Sequence, residues 1–178
     1  MQGSNISVGP KGEIYVFYGD FTEIETFDLS LPFPASFLNA RMTAASIMAA
    51  KSPDGGDTWT RSMVRDMCSP PPCRAAGTDA HETFNTPAFR VGSLPFGGVS
   101  PDAKAVYATW AEWDSVFFSF DPGTARDFAV AQGDIMFAHS VDGGETWEDA
   151  IQVNNDADTT DQFFPAMTVT PGGIVHVV

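Results

Sequence analysis

The chain of 178 residues is 43% apolar and 18% charged, and it carries 15 phenylalanines; a disordered chain would be poorer in aromatics and richer in charge. Its formal charge of −14 works against nucleic acid, whose phosphates are met by basic surfaces, and against an anionic membrane surface. No apolar run is long enough for a membrane span, which argues against membrane insertion, and Met1 to Ile6 lacks the basic and apolar regions of a signal peptide. Helix-favouring runs are scarce, so the composition leans all-β.

In chain order, residues 5–8 and 13–18 read as strands around a Gly/Pro turn at Gly9 to Gly12. A long loop, 19–44, leads to a strand at 45–52, an Asp-Gly-Gly turn and a strand at 58–64. The next loop, 65–86, holds Cys68 and Cys73 on either side of Ser-Pro-Pro-Pro. Their spacing is not that of a Cys-x-x-Cys metal pair, and the expectation is a small disulfide, with two free thiols as the alternative. Strands follow at 88–94, 105–110, 134–140 and 146–153, with a long loop at 111–133. After the polar stretch 154–164, strands at 166–169 and 174–178 repeat the opening hairpin.

The repetition is explicit. Ser52-Pro53-Asp54-Gly55-Gly56-Asp57-Thr58-Trp59 returns as Ser140-Val141-Asp142-Gly143-Gly144-Glu145-Thr146-Trp147, and Ile6 to Val16 returns as Met167 to Val177. Each unit is strand, tight turn, strand, long loop, strand, Asp-Gly-Gly turn, strand. That is a four-stranded antiparallel meander, the unit of a propeller blade. Strands such as Ile14 to Tyr18 are apolar on both faces, as blades packed face to face require. The expected fold is an all-β propeller with about two and a half blades, near 5–64, 88–153 and 166–178 of a single partial domain. Such a set cannot close a ring and would leave an apolar face and unpaired edges, so a piece of a ring of about six blades is expected, with the remaining blades as partners.

In the turns, Asp54 and Asp142 can accept backbone N–H groups, and the glycines can take positive φ. Ser52, Gly56, Thr58, Trp59, Ser140, Gly144, Thr146 and Trp147 complete the pattern as turn builders rather than catalysts. Ser-x-Asp-x-Gly-x-Thr-Trp resembles the Asp box, or BNR repeat, of sialidases and sialidase-like propellers, and the likeness runs over nearly the whole chain. The resemblance implies an exo-acting glycoside hydrolase on extracellular glycans, or else a non-catalytic secreted propeller that binds carbohydrate or protein. In both readings the partner is a carbohydrate or glycoprotein, no cofactor is required, and the location is extracellular or periplasmic.

All long loops fall on the rim away from the boxes, where binding and catalysis are expected. Sialidases hold a substrate carboxylate with three arginines and use a tyrosine nucleophile with an aspartate acid–base. Phe89-Arg90-Val91-Gly92 resembles the family's F/Y-R-I-P motif with glycine for proline, which makes Arg90 a candidate substrate ligand. Tyr18, nearest a loop end, is the candidate nucleophile. Glu112 and Asp114, after Trp110, are the candidate acids, and Trp113 a candidate sugar platform. Asp156, Asp158 and Asp161 offer oxygen ligands at the close spacing that calcium uses, against the alternative of a turn-rich polar loop. The acidic loops and the sparse arginines favour the non-catalytic reading, since an anionic sugar needs a positive pocket.

Overall fold

A computed structural model of the chain describes residues 2–24, 41–68, 93–121, 126–156 and 160–178. Among these, every regular element is a strand. The first sheet is an antiparallel meander of β1 (Gln2–Val8), β2 (Ile14–Ile24), β3 (Arg41–Ser52) and β4 (Thr60–Asp66), hydrogen-bonded in that order. The second repeats it with β5 (Phe96–Val99), β6 (Val106–Asp121), β7 (Arg126–Ser140) and β8 (Ile151–Gln152). A third, two-stranded sheet pairs β9 (Met167–Val169) with β10 (Val175–Val177).

Register makes the sheets equivalent residue by residue. Val8 faces Ile14, Val99 faces Val106 and Val169 faces Val175 across the three opening hairpins. Farther along, Ile14 pairs with Ser52 and Tyr15 with Lys51, just as Val106 pairs with Ser140 and Tyr107 with His139. The opening turns also agree: Gly12, Ala103 and Gly173 each take a positive φ of 88°, 61° and 82°. Each donates its N–H to Gly9, Ser100 or Thr170.

Several boundaries differ from the sequence reading. The stretches read as loops 19–44 and 111–133 are strand at both ends: β2 and β3 reach Ile24 and Arg41, and β6 and β7 reach Asp121 and Arg126. Their sequences explain it: Phe21, Thr22 and Ile24, and then Val116, Phe117, Phe118, Phe128 and Val130, have high strand propensity between the acids that suggested loops. Only the end of the strand expected at 88–94 falls on described residues. Residues 88–92 lie outside the described residues, 93–95 are irregular, and the strand is Phe96–Val99. β8 is two residues long, not the expected 146–153, because Thr146 is held by Asp142 in the turn before it and Trp147 by Ser62 of β4.

The reason for β5 is tertiary. Gly97 and Gly98 disfavour a strand on propensity, yet each is needed for close approach. A Cβ on Gly97 would lie 2.0 Å from Phe17 Cε2 in the first sheet, and one on Gly98 would lie 2.7 Å from Val169 Cγ2 in the third. β5 is therefore flanked on both faces. Asn5 and Ser7 of β1 complete the junction: Gly97 N–H donates to Asn5 Oδ1 at 3.0 Å, and Ser7 Oγ donates to Gly97 O at 2.7 Å.

The main core lies between the first two sheets. Tyr15, Phe17, Ile47 and Ala49 pack with Val106, Ala108, Trp110 and Ala138. Trp110 is wholly buried, and burying a large side chain of this kind stabilises by roughly 2–3 kcal/mol. In the second sheet both faces are covered, since Thr109 and Ala111 are buried as well. The first sheet departs from that expectation: Ile6 and Val8 remain 64% and 66% exposed.

Gly97→Ala is expected to lower the unfolding free energy by about 2 kcal/mol, the scale of overpacking a filled core. Urea denaturation measures it. An unchanged midpoint would mean that Phe17 does not press on β5.

Candidate functional site

The two Asp boxes fold alike. In the second, Ser140 Oγ donates to Asp142 Oδ1 at 2.7 Å and accepts the Gly144 N–H at 2.8 Å. Asp142 also accepts the backbone N–H of Glu145 and Thr146, each at 2.9 Å, and the Thr146 hydroxyl. In the first, Ser52 and Thr58 surround Asp54 in the same way, and Ser52 Oγ accepts the Gly56 N–H. These donors favour the ionised carboxylate. The Thr58 hydroxyl, then its N–H and Ser52, bring Asp54 from 3.8 to about 2, and the Thr146 and Ser140 hydroxyls hold Asp142 well below the usual range. A smaller echo was not read from the sequence: Ser100 Oγ donates to Asp102 Oδ1 at 2.6 Å in the β5–β6 turn. The signal was there in Ser100-Pro101-Asp102, which repeats the Ser-x-Asp of the boxes.

The second box is seated on the first sheet. Tyr15 OH donates to Gly143 O at 3.2 Å, and Ser62 Oγ donates to Gly144 O at 2.6 Å. Trp147 Nε1 donates to Ser62 Oγ at 3.0 Å, and its ring meets Phe17 edge-on at 6.4 Å. Gly143 and Gly144 adopt φ of 75° and 92°. The first box has no such seat among the described residues: Trp59 Nε1 turns back to Gly56 O at 2.9 Å, and the side chain is 44% exposed.

In a meander the turns alternate between ends, so the box turns and the opening hairpin turns share one rim. At the other rim, two acids on facing positions of β6 and β7, Glu112 and Asp134, are 3% and 4% exposed. Like charges directly opposite would destabilise the pair, and each is compensated separately. Arg65 of β4 grips Glu112 with two bonds, Nε to Oε2 at 3.2 Å and Nη2 to Oε1 at 2.9 Å, and Trp110 Nε1 adds a third at 3.1 Å. The hydrogen bond to Glu112 raises the Arg65 pKa. Asp134 Oδ1 accepts Gln152 Nε2 at 2.9 Å and Asn154 Nδ2 at 2.7 Å.

Asn154 carries the network outward. Its Oδ1 accepts the Ile135 N–H, and its amide nitrogen also reaches Asp156 Oδ1 at 2.7 Å. Asp156 Oδ2 accepts Gln162 Nε2 at 2.8 Å and the Thr160 hydroxyl at 3.2 Å. The donors, Asn154 foremost, lower the Asp156 pKa. Asp161 is turned toward β7 and accepts the Gly133 N–H at 3.0 Å; burial, reinforced by Asp134, raises its pKa.

The sequence candidates distribute as follows. Glu112 joins Arg65 rather than a loop pocket. Tyr18 sits on β2 opposite Met48, at 3% exposure, not at a loop end. Trp113 and Asp114 lie on β6, not in a loop, and their side chains are outside the described residues, as are Arg90, Asp158 and Cys73 altogether. Asp156 and Asp161 bond to different partners, and among the described residues no three His, Cys, Asp or Glu gather as a metal site. Cys68 is disulfide-bonded. Asp134 was missed because it opens an apolar run and its partners lie 18 and 20 residues away.

Among the described residues no helix is long and apolar enough to cross a membrane. In comparisons with known proteins, no family model matches the chain and no curated protein matches it.

Two outcomes follow from this geometry. Asp54 and Asp142 titrate lower folded than unfolded, so their stabilisation is complete above the unfolded value of 3.8 and is lost as pH falls through the folded values. The thermal midpoint is expected to drop as pH goes from about 4 to about 2, and Asp54→Asn or Asp142→Asn to flatten that drop. Arg65→Met should cost roughly 3 kcal/mol in chemical denaturation, because it strands a buried carboxylate; adding Glu112→Leu should restore most of the loss.

Proposed function

We propose that the first two sheets are consecutive blades, and the third part of another, of an Asp-box propeller of the sialidase-like kind, and that the rim remote from the boxes binds carbohydrate without hydrolysing it. The propeller reading draws support from like faces stacked in one sense. The second box rests on the first sheet, and β5 lies between β1 residues on one side and β9 on the other. Innermost strands that adjoin in this order suit blades set around an axis.

The binding reading is carried by one observation: the buried rim acids are committed to built-in donors. Glu112 is held by Arg65 and Trp110, and Asp134 by Gln152 and Asn154. A general acid must come within reach of its substrate, and both carboxylates, 3% and 4% exposed, already accept from donors of the chain itself. The outer members of the same network, Asp156, Thr160 and Gln162, present carboxylate, hydroxyl and amide groups of the kind that pair with sugar hydroxyls. The disulfide at Cys68 suits an oxidising, extracellular or periplasmic setting.

Calorimetric titration with sialylated and neutral oligosaccharides tests the proposal, alongside a fluorogenic sialoside. Saturable binding is expected, weakened about tenfold by Asp156→Ala with Gln162→Ala, the loss of one to two hydrogen bonds. The fluorogenic sialoside is expected to stay intact. Fluorophore release that Asp114→Ala abolishes would establish the hydrolase reading instead.

A further inference from the structure

Just past the amide network the backbone takes a conformation that its residues resist. Phe164 has a φ of 53°, where a bulky side chain is an outlier, and the Pro165 that follows favours an extended residue before it. Among the described residues the other non-glycine with a positive φ is Ala103, which holds the hairpin-turn position that Gly12 and Gly173 hold elsewhere. Phe164 lies in no hairpin turn. Strain of this kind persists only where the surroundings hold it, and it concentrates at binding sites. Here both flanks are fixed. Gly133 N–H donates to Asp161 Oδ1 at 3.0 Å, and Gln162 N–H donates to Gly133 O at 2.8 Å. On the other side Pro165 is buried, and Ala166 exchanges two backbone hydrogen bonds with Val178.

The outcome is a pair of exposed rings. In an extended chain successive side chains point to opposite sides. With a positive φ at Phe164, the rings of Phe163 and Phe164 come within 5.4 Å, edge to face at 67°. They are 40% and 47% exposed. Neither belongs to a sheet face on which a further blade would stack. The ladder of the third sheet begins at Ala166, and both rings stand beyond it, at the rim remote from the boxes. They follow directly on Gln162, whose side-chain amide bonds to Asp156 and Thr160. An apolar surface thus adjoins a carboxylate, a hydroxyl and an amide.

We infer that Phe163 and Phe164 form the platform under a neutral pyranose, whose C–H face lies on the two rings while its hydroxyls reach Asp156, Thr160 and Gln162. The inference rests on the carbohydrate reading and narrows it to uncharged sugars. A pyranose is apolar across its faces and polar around its edge, which matches the two kinds of surface set side by side. The negative face of an aromatic ring also attracts C–H groups. A sialic acid would bring its carboxylate against that of Asp156, whose pKa is lowered by its donors, Asn154 foremost. The charge of −14 on the chain adds to the repulsion. The strain at Phe164 serves the ligand, since glycine would take the same φ at no steric cost but would supply no ring.

Calorimetric titration of the full chain with galactose-, glucose- and mannose-terminated oligosaccharides, and with the sialylated form of the first, is the test. A neutral sugar is expected to bind at least about tenfold more tightly than the sialylated one. Phe163→Ala and Phe164→Gly each weaken that binding about tenfold, and Phe164→Gly also raises the urea midpoint because it releases the strain. Neutral-sugar binding that both substitutions leave intact, but that Asp156→Ala with Gln162→Ala weakens, overturns the platform and leaves the carbohydrate reading in place. So does weakened binding accompanied by a lowered urea midpoint in both variants, which assigns the rings to the fold. Equal or tighter binding of the sialylated sugar overturns the choice of a neutral ligand. If no sugar binds, the carbohydrate reading fails and the platform fails with it.

Discussion

The carbonyls of Gly143 and Gly144 are turned out of their tight turn, and the first sheet supplies the hydroxyls that satisfy them. Tyr15 and Ser62 reach across the interface to do so. The arrangement depends on both glycines. Their positive φ, which other residues resist, turns the carbonyls outward, and at Gly143 the missing Cβ also leaves room for Lys51 Nζ, 3.0 Å from where that carbon would be. Asp142 holds the turn in shape from within, accepting N–H groups that would otherwise point into the loop. The box is therefore two devices in one: a carboxylate that closes the turn, and a pair of carbonyls that dock the turn on its neighbour.

Once the turn is docked, the rest of the interface follows from register. Trp147 leaves the box in line with Ser62 and Phe17, and Phe17 in turn presses on β5 at the place where a glycine stands. The inner strands then come close enough for Ser7 and Asn5 to bond to the Gly97 backbone. The apolar filling between these anchors, Val106, Ala108 and Trp110 against Ile47 and Ala49, supplies the larger share of stability. Yet apolar packing is non-directional. The hydroxyl-to-carbonyl bonds are what fix one sheet at one height and one orientation on the next.

The sequence disclosed the parts whose causes are local. Both boxes were readable because serine, aspartate, glycine and threonine satisfy one another within seven residues, and the opening hairpins because their turn residues recur. The strand content of the hairpins was harder to see, since Asp20, Glu23, Glu112 and Asp114 suggested loops while aromatic and β-branched neighbours extended the ladders. β5 was not foreseen because Gly97 answers to the Phe17 ring in the first sheet and Gly98 to Val169 in the third. At the rim, Glu112 could be singled out as an acid, but nothing near it in sequence announced Arg65, 47 residues away. Asp134 looked like the end of a strand and proved to be the centre of an amide network.

The two rims treat their carboxylates in opposite ways, and this difference bears on function. Asp54 and Asp142 are exposed and answered by donors from their own turns, so they ask nothing of the neighbouring sheet. Glu112 and Asp134 are buried at facing positions and would repel each other if left alone. Glu112 is answered from the first sheet and Asp134 from the strand end that leads out of the second. Replacing such a buried pair by apolar groups is often neutral for stability, so the charges are better explained by the geometry that they impose. Arg65 pins the two sheets laterally at the rim, and Asn154 ties the segment carrying Asp156 and Gln162 to β7 through Asp134 and the Ile135 N–H. Polar groups held in this way lose little further freedom when a ligand arrives. The buried acids thus act behind the exposed rim, setting the positions of Asn154 and, through it, of Asp156 and Gln162.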